Sequence, residues 1–220
     1  MEIIGNFDYS YRIDLFKYID FEKYFSKYNI TPSDTVLSYY DITKEHYHLL
    51  AYISNMVDDS IIIDTGTHRG GSALALSYNQ SNKVLTYDIE QFKGGIDNNI
   101  KNIPNNIESK YDVDITELIK TKPDIVLSSS LFFLDINHEG SDEIKIFDFL
   151  LSNNYNGILI LDDIHLNNQM ENAWRYMQSS DVLTFDVTKY GHLLHSEGTG
   201  IVVFDKSHKL LSKFRKTFKL

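Results

Sequence analysis

A short glycine-rich segment offers the clearest chemistry in the sequence. It reads DTGTHRGGS, from Asp64 to Ser72, and directly follows the apolar run Ile61–Ile63. Glycines let a chain turn sharply and let a ligand approach the backbone closely. A helix that begins at the end of such a loop directs free N–H groups and the positive end of its dipole at the ligand. The segment therefore predicts a binding loop between a strand and a helix. A turn that needs glycine for its geometry alone is the structural alternative.

The spacing of this loop separates two classes of nucleotide-like ligand. Dinucleotide-binding loops follow the pattern G-x-G-x-x-G, whereas an acid precedes the glycines here, in the pattern acid-x-G-x-x-x-G. Asp64 would repel a pyrophosphate, but it suits the ammonium and hydroxyl groups of S-adenosylmethionine. Asp88 follows the next apolar run, Val84–Tyr87, and a carboxylate there can accept hydrogen bonds from both hydroxyls of a ribose. Alone, Asp88 could simply cap a strand; together with the loop it predicts an adenosine-containing ligand.

Three further acids follow two other apolar runs. Asp135 comes after Leu131–Leu134, and Asp162 and Asp163 come after Ile158–Leu161. Neighbouring strands lie about 5 Å apart, so these carboxylates should converge at one edge of a sheet. Crowded carboxylates repel one another unless a cation joins them, and oxygen ligands suit Mg²⁺ or Ca²⁺. We therefore predict that these acids bind a metal. The alternative is that one or two of them cap the helices that follow.

Alternating strands and helices must position these residues. Short runs rich in Ile, Val and Phe are typical of parallel strands that are buried on both faces. Helical stretches are expected at residues 46–55, 72–79, 116–120, 142–151 and 168–178, and further strands near 107–113, 183–187 and 200–205. The alternation predicts an α/β fold with a doubly wound sheet.

No internal repeat, linker or break in composition divides the chain, so one domain over residues 1–220 is predicted. Its catalytic sheet core is expected at 57–205, after an N-terminal helical extension or lid at 1–56 and before a C-terminal helix at 206–220. The extension is rich in Tyr and Phe, which could line an acceptor pocket. The preferred interpretation is an amphipathic extension that packs on the sheet or on a second subunit, which allows a homodimer.

Composition excludes several classes of protein. The 220 residues include 21 Lys and Arg against 31 Asp and Glu, a formal net charge of −10, which argues against a nucleic-acid partner. The absence of cysteine excludes disulfides, thiolate metal sites and Cys nucleophiles. No stretch approaches the roughly 20 apolar residues of a membrane span, and the N-terminus lacks the pattern of a signal peptide. A cytoplasmic protein without a membrane partner is expected.

Two of these segments resemble a known family. IIIDTGTHRGGSALAL and KVLTYDIE resemble the first two motifs of class I S-adenosylmethionine-dependent methyltransferases, and the resemblance extends over Ile61 to Phe204. The loop is most similar to the small-molecule O-methyltransferase branch, which includes catechol-type enzymes and the sugar methyltransferases of macrolide biosynthesis. The resemblance implies a Rossmann-like, mostly parallel seven-stranded sheet and S-adenosyl-L-methionine as the cofactor. It also implies O-methylation of a small molecule or a sugar hydroxyl.

The resemblance assigns roles to individual residues. The cofactor-binding residues that it implies are Asp64, Gly66, Thr67, Gly70, Gly71, Ser72 and Asp88. Asp64 takes the acidic place of the motif, facing the methionine moiety through the loop and water. Gly66 and Gly70 take its two turn positions, and Asp88 takes the place of the acid that binds the ribose.

A metal site and a general base are implied in the same way. Metal-dependent members of the branch have an Asp at the end of the fourth strand and Asp-Asn or Asp-Asp at the end of the fifth, which matches Asp135, Asp162 and Asp163. A Lys or His base lies three residues after the first Asp, which matches His138. In that mechanism a divalent cation, such as Mg²⁺, lowers the pKa of the acceptor hydroxyl and His138 removes its proton. His165 and His192 are the alternative bases.

The loop that carries His138 departs from the family pattern. Many relatives have D-G-D-H there, whereas this chain has Ile136 and Asn137 in place of the glycine and the second acid. The details of metal coordination are therefore left open. A second alternative also stays open, in which this chain is a non-catalytic relative that keeps the cofactor-binding fold. An oxidoreductase or epimerase that uses a nicotinamide dinucleotide is the other alternative, although the spacing of the glycines speaks against it.

Overall fold

The computed structural model describes residues 17–42, 44–187, 197–205 and 211–212. The helices are α1 (Phe21–Tyr28), α2 (Asp34–Ile42), α3 (Lys44–Ser54), α4 (Gly71–Leu76), α5 (Gly95–Asn99), α6 (Ile115–Thr121), α7 (Pro123–Leu127), α8 (Ser141–Ser152) and α9 (Asn168–Ser179). The strands are β1 (Thr31–Pro32), β2 (Ile61–Thr65), β3 (Lys83–Tyr87), β4 (Ile100–Lys101), β5 (Ile107–Lys110), β6 (Leu131–Leu134), β7 (Ile158–Asp162), β8 (Leu183–Asp186) and β9 (Thr199–Val203).

Seven of the described strands form one sheet, in the order β5-β3-β2-β6-β7-β9-β8. The neighbours from β5 to β7 are all parallel, and β9 runs antiparallel to both β7 and β8. The strand order reverses between β2 and β6, and ligands bind outside the carboxyl ends of the strands at such a point. The predicted α/β fold, with a doubly wound, mostly parallel seven-stranded sheet, is confirmed.

Both faces of this sheet are covered, which explains why its strands are short apolar runs. Ile62 and Ile63 of β2 are both fully buried, and they belong to hydrophobic clusters on opposite faces. Successive side chains of a strand point to opposite faces, so each face needs its own layer of helices. Helices α1 to α4 supply buried residues to one cluster, and helices α6, α8 and α9 supply them to the other.

The aromatic N-terminal helices pack directly on the rest of the molecule. The Tyr24 hydroxyl of α1 donates to the backbone O of Ser77 at the end of α4 (3.0 Å). The ring of Phe21 meets Tyr40 and Tyr78 edge to face, at centroid distances of 4.7 and 5.7 Å. These contacts pack α1 against α2 and the end of α4, and the division of the chain into extension, core and C-terminal helix stays a prediction. Residues 1–16, most of the predicted C-terminal helix at 206–220, and His192 lie outside the described residues.

The predicted elements appear with shifted ends. The strand expected near 107–113 stops at Lys110, because the chain turns at Asp112, where φ is +57°. The helix expected at 72–79 ends already at Leu76. The two-residue strands β1 and β4, which pair antiparallel, were not predicted, because so short a segment carries no periodicity. Among the described helices, none is long and apolar enough to cross a membrane.

Candidate functional site

The loop after β2 crosses the carboxyl end of the sheet in direct contact with β6. Gly66 has a φ of +76°, and a Cβ added to it would lie only 2.1 Å from the backbone O of Asp135. Its N–H donates to the backbone O of Tyr87, at the end of β3 (2.9 Å). The residue is thus held between the two strands that flank β2. Only glycine fits this position, because only glycine tolerates both the positive φ and the close approach.

The later glycines of the loop let it meet other parts of the protein. Gly70 has a φ of +87°, and a Cβ there would lie 2.6 Å from the side chain of Ile96. A Cβ at Gly71 would lie 3.0 Å from the Tyr47 hydroxyl oxygen. The Tyr40 hydroxyl donates to the backbone O of Gly71 (2.9 Å). Helices α2 and α3 therefore fix the loop from outside, so the glycine pair serves protein packing as well as any ligand.

Asp64 lies beneath the loop and lines neither of the two cavities described below. It is fully buried, and its Oδ2 accepts a hydrogen bond from the Thr86 hydroxyl. That hydroxyl lies 2.6 Å from the Thr67 Oγ1. Burial raises the pKa of Asp64 to about 7. Asp64 thus supports the loop through Thr86 and Thr67, and its role toward a methionine moiety stays a prediction.

A cleft of about 430 Å³ opens at the carboxyl ends of β2, β3 and β6. Asp88 lies at this cleft, where its Oδ2 accepts from the His68 N–H (2.8 Å) and its Oδ1 from the Glu90 N–H (3.3 Å). A carboxylate has about four acceptor positions, so Asp88 keeps capacity for a ligand. The volume is in the range of small-molecule sites. The lining residues are Thr65, Gly66, His68, Tyr87–Ile89, Val113–Thr116, Asp135–Asn137 and Asp142.

Part of the cleft wall was not predicted from the sequence. Ile89 is 69% exposed, a large fraction for an apolar side chain, and with Val113 it gives the cleft apolar surface. Asp114 accepts the Thr116 N–H (2.7 Å) and so begins α6 beside the cleft. The sequence indicated Ile89 only by its position directly after Asp88. Nothing near Val113 and Asp114 in the sequence indicated that they line the cleft, because the pairing of β5 with β3 brings them here.

A second cavity, of about 60 Å³, adjoins the cleft. Gly66, His68 and Asp135 line both spaces, so the two spaces are adjacent. The remaining walls come from the N-terminal helices, the glycine-rich loop and the ends of β6 and β7, through Tyr39, His46, Tyr47, Thr67, Arg69, Gly71, Ser72, Phe133 and Asp162. The predicted residues Thr67, Gly71, Ser72 and Asp162 thus meet here.

The N-terminal helices supply three residues of this second cavity that were not among the predicted site residues: Tyr39, His46 and Tyr47. They belong to α2 and α3, which only tertiary packing brings to this edge of the sheet. The many aromatic residues of the N-terminal extension were the one signal in the sequence. The extension therefore packs on the core and also supplies part of the candidate site.

Arg69 enters the second cavity from the loop. Its Nη1 donates to the Tyr39 hydroxyl (3.5 Å), and its guanidinium carbon lies 5.9 and 5.6 Å from the ring centroids of Tyr39 and Phe92. The His68 ring stacks on Phe92 at 4.4 Å. Aromatic rings hold a guanidinium in place without neutralising its charge. Within the described ranges, no Asp or Glu lies at ion-pair distance from Arg69.

His138 lies between two of the predicted metal ligands. Its Nε2 is 3.0 Å from Asp135 Oδ1 and 3.0 Å from Asp163 Oδ2. The Asp135 carboxylate, and after it Asp163, raise the pKa of His138 to about 10. Both contacts favour the protonated imidazole. The role of His138 as general base stays a prediction.

The third predicted metal ligand, Asp162, turns toward different partners. Its Oδ1 accepts from the Thr199 hydroxyl (3.5 Å), and its Oδ2 lies 3.8 Å from the Nε2 of His46. The His46 Nδ1 is 3.1 Å from the same Thr199 Oγ1. No group of three His, Asp or Glu side chains in the described part of the chain is arranged to hold a metal ion. The arrangement thus does not fit the expected cation site.

His165, one of the two alternative bases, contacts an acid away from this cluster. Its Nε2 is 2.9 Å from Asp186 Oδ2 of β8, and its backbone N–H donates to the O of Glu197 (2.6 Å). Neither cavity described above is lined by His165. His165 therefore lies outside the candidate site, on the loop that follows β7.

Solved structures share this architecture. A putative caffeoyl-CoA O-methyltransferase from Staphylococcus aureus is 12% identical, with a TM-score of 0.57 over 88% of this chain and 97% of that chain. The O-methyltransferase of tomaymycin synthesis from Streptomyces achromogenes, solved with S-adenosylmethionine, is 12% identical, with a TM-score of 0.54 over 87% and 98%. The O-methyltransferase from Bacillus cereus, solved with S-adenosylhomocysteine, is 12% identical, with a TM-score of 0.52 over 87% and 100%.

No family model matches the sequence. No curated protein matches it either. At identities near 12% the likeness concerns the fold, and there it agrees with the motifs of the loop and of β3. The chain has the fold of the S-adenosylmethionine-dependent O-methyltransferases, as its sequence motifs predict.

Proposed function

We propose that this protein transfers the methyl group of S-adenosylmethionine to a hydroxyl oxygen of a small molecule or a sugar. The observation that carries the proposal is the cleft at the switch point of the sheet, bordered by Gly66 and Asp88. Its position in this fold, together with the neighbours solved with S-adenosylmethionine or S-adenosylhomocysteine, supports an adenosyl ligand there. The apolar surface of Ile89 and Val113 suits the adenine ring, and Asp88 suits the ribose hydroxyls.

The second cavity is the proposed site of methyl transfer. A cofactor that lies in the cleft and crosses Gly66 would bring its methionine part to this cavity, because the two spaces share that residue. Tyr39, His46, Tyr47 and Asp162 add polar groups that suit a hydroxyl-bearing acceptor. In-line transfer forms the oxygen–carbon bond as the sulfur–carbon bond breaks, and the hydroxyl proton leaves to a base. Asp162, next to His46, is the proposed proton acceptor.

The expected divalent cation takes no part in this proposal. Asp135 and Asp163 both lie against His138, and Asp162 lies against Thr199 and His46. A cation site would need these carboxylates to face one shared point with no protonated side chain between them. The residues do not fit a resident Mg²⁺, and no step is assigned to one.

Replacing Asp88 with asparagine tests the cofactor assignment. We expect about a tenfold to hundredfold loss of S-adenosylhomocysteine affinity, because charge-assisted hydrogen bonds to the ribose contribute about 1.5–3 kcal/mol. Isothermal titration calorimetry measures it, with NAD⁺ titrated in parallel. Glu90→Gln is the matched control, since Glu90 is a neighbouring exposed acid outside the cleft, and it should leave the affinity unchanged. Wild-type binding of NAD⁺ in place of S-adenosylhomocysteine would refute the proposal in favour of a nicotinamide enzyme.

Arg69 is the proposed partner of the cofactor's carboxylate, because among the described residues it is the one Lys or Arg that lines either cavity. Arg69→Gln should weaken S-adenosylhomocysteine binding about tenfold or more and leave methylthioadenosine binding unchanged, since methylthioadenosine lacks the carboxylate. Calorimetry with both ligands separates the two effects. Arg175→Gln is the control, because Arg175 pairs with Glu171 on the surface of α9 (2.8 Å). An equal loss for both ligands would mean that Arg69 supports the loop instead of binding the carboxylate.

A further inference from the structure

The side chain of His138 occupies the position that would bridge two carboxylates. Its Nε2 is equally distant, at 3.0 Å, from Asp135 Oδ1 on the loop after β6 and from Asp163 Oδ2 on the loop after β7. Mg²⁺ binds oxygens at about 2.0–2.1 Å, so an ion shared by these two oxygens would need the volume that the nitrogen fills. The imidazole and a bridging cation therefore exclude each other.

Backbone contacts hold His138 in that position from both sides. Its N–H donates to Oε1 of Glu143 (3.1 Å), and its backbone O accepts from Nδ2 of Asn167 (3.1 Å). Glu143 is only 1% exposed and lies in the first turn of α8, and Asn167 caps α9, so two helices fix these anchors. His138 itself has a φ of +58°. A residue that keeps this left-handed backbone does so because its surroundings impose it.

The two departures from the family pattern agree with this arrangement. The Asn137 amide donates to Oδ2 of Asp142, at the start of α8 (2.8 Å), and so points away from the pair of carboxylates. Asp163 also has a left-handed backbone, with a φ of +55°, which directs its side chain to His138 while Asp162 contacts Thr199. The loop is thus built around an imidazole, not around a set of oxygen ligands.

We propose that His138 replaces the divalent cation of metal-dependent relatives, so that this protein binds its ligands without a metal, and that removing the imidazole opens a cation site between Asp135 and Asp163. The inference rests on the proposed function, but metal binding can be measured without the methyl-transfer reaction. A failure of the metal-binding test is therefore distinct from a failure to bind S-adenosylhomocysteine, which would count against the proposed function alone.

Electron paramagnetic resonance of Mn²⁺ tests the proposal on the full chain. The wild type should give no saturable binding, whereas His138→Ala should bind one Mn²⁺ at least about tenfold more tightly than any residual wild-type signal. His138→Lys keeps a cation between the carboxylates and should exclude Mn²⁺ as the wild type does. Adding Asp163→Asn to His138→Ala should abolish the new binding. Circular dichroism and thermal unfolding establish that each variant is folded.

Three results would overturn the inference. Stoichiometric Mn²⁺ binding by the wild type that Asp163→Asn removes would mean that the histidine yields its place to a metal. Absence of binding in folded His138→Ala would mean that Asp135 and Asp163 do not form a cation site, so that His138 replaces nothing. Binding by His138→Lys as strong as that of His138→Ala would mean that a cationic side chain between Asp135 and Asp163 does not exclude a metal ion.

Discussion

Gly66→Ala should lower the free energy of unfolding by about 3 kcal/mol or more, the sum of a left-handed backbone penalty and a steric collision. The alanine Cβ would lie 2.1 Å from the backbone O of Asp135, and neither backbone can yield without breaking the contacts of β2 with β6. The Gly66 N–H also bonds to Tyr87 on the other flank. Chemical denaturation followed by circular dichroism measures the loss, and calorimetry should find S-adenosylhomocysteine affinity reduced in whatever protein folds.

Gly70→Ala is the comparison variant. Gly70 has a comparable φ of +87°, but its added Cβ would meet the buried side chain of Ile96, with Cγ1 at 2.6 Å and Cβ at 2.9 Å, and no backbone atom is among the three nearest atoms. We expect a smaller loss than at Gly66, about 2 kcal/mol, because a side chain shifts at lower cost than a backbone that is tied to the sheet. If Gly66→Ala proved no more harmful than Gly70→Ala, the close approach of the loop to β6 would not be what requires glycine at residue 66.

The parts of the molecule that the sequence predicted depend on local chemistry. The runs at β2 and β6 are uninterrupted because both sheet faces are buried, and that pattern is visible without any tertiary knowledge. The glycines of the loop were equally visible, since a strand that turns over a sheet edge needs them. Asp88 was placed by its position directly after the apolar run Val84–Tyr87. These features are encoded within short segments, so one sequence was enough to predict them.

The parts that were missed depend on contacts between distant segments. His46 reaches Thr199, which lies 153 residues further along the chain, and nothing near His46 indicates that contact. The acids at the ends of β6 and β7 were correctly located at one edge, but the direction of each carboxylate was not predictable. Asp162 and Asp163 are adjacent, yet one contacts Thr199 and the other His138, because the backbone of Asp163 is left-handed. Metal coordination depends on that direction, so spacing alone predicted a site that the geometry does not form.

The charge at this edge of the sheet differs according to whether an imidazole or a divalent cation lies between Asp135 and Asp163. A sulfonium cofactor brings one positive charge to an edge already crowded with carboxylates, and a divalent cation would add two more. A protonated His138 adds one and partly neutralises Asp135 and Asp163, while Asp162 lines the second cavity beside His46 and Thr199. The repulsion between Asp135 and Asp163 is thus reduced by a residue of the fold, where the sequence suggested an added ion.

Leu50→Ala tests whether the N-terminal helices belong to the fold or close over it as a lid. Leu50 is fully buried in α3, within the cluster that also contains residues of α4 and β2. We expect a loss of about 2–5 kcal/mol in the free energy of unfolding, because truncating a buried leucine removes apolar burial and leaves a cavity. Chemical denaturation measures the loss, and a single cooperative transition should persist, since α3 unfolds with the sheet.

Leu37→Ala on α2 is the matched control, because Leu37 is 39% exposed and should change stability by less than about 0.5 kcal/mol. The two variants remove the same atoms from neighbouring helices, so the difference between them reports burial alone. Tyr47 lies one turn before Leu50 on α3 and contacts the loop at Gly71, so Leu50→Ala should also weaken S-adenosylhomocysteine binding. A Leu50→Ala protein as stable as Leu37→Ala, but with weakened ligand binding, would identify α3 as a lid that closes over the cofactor without stabilising the core.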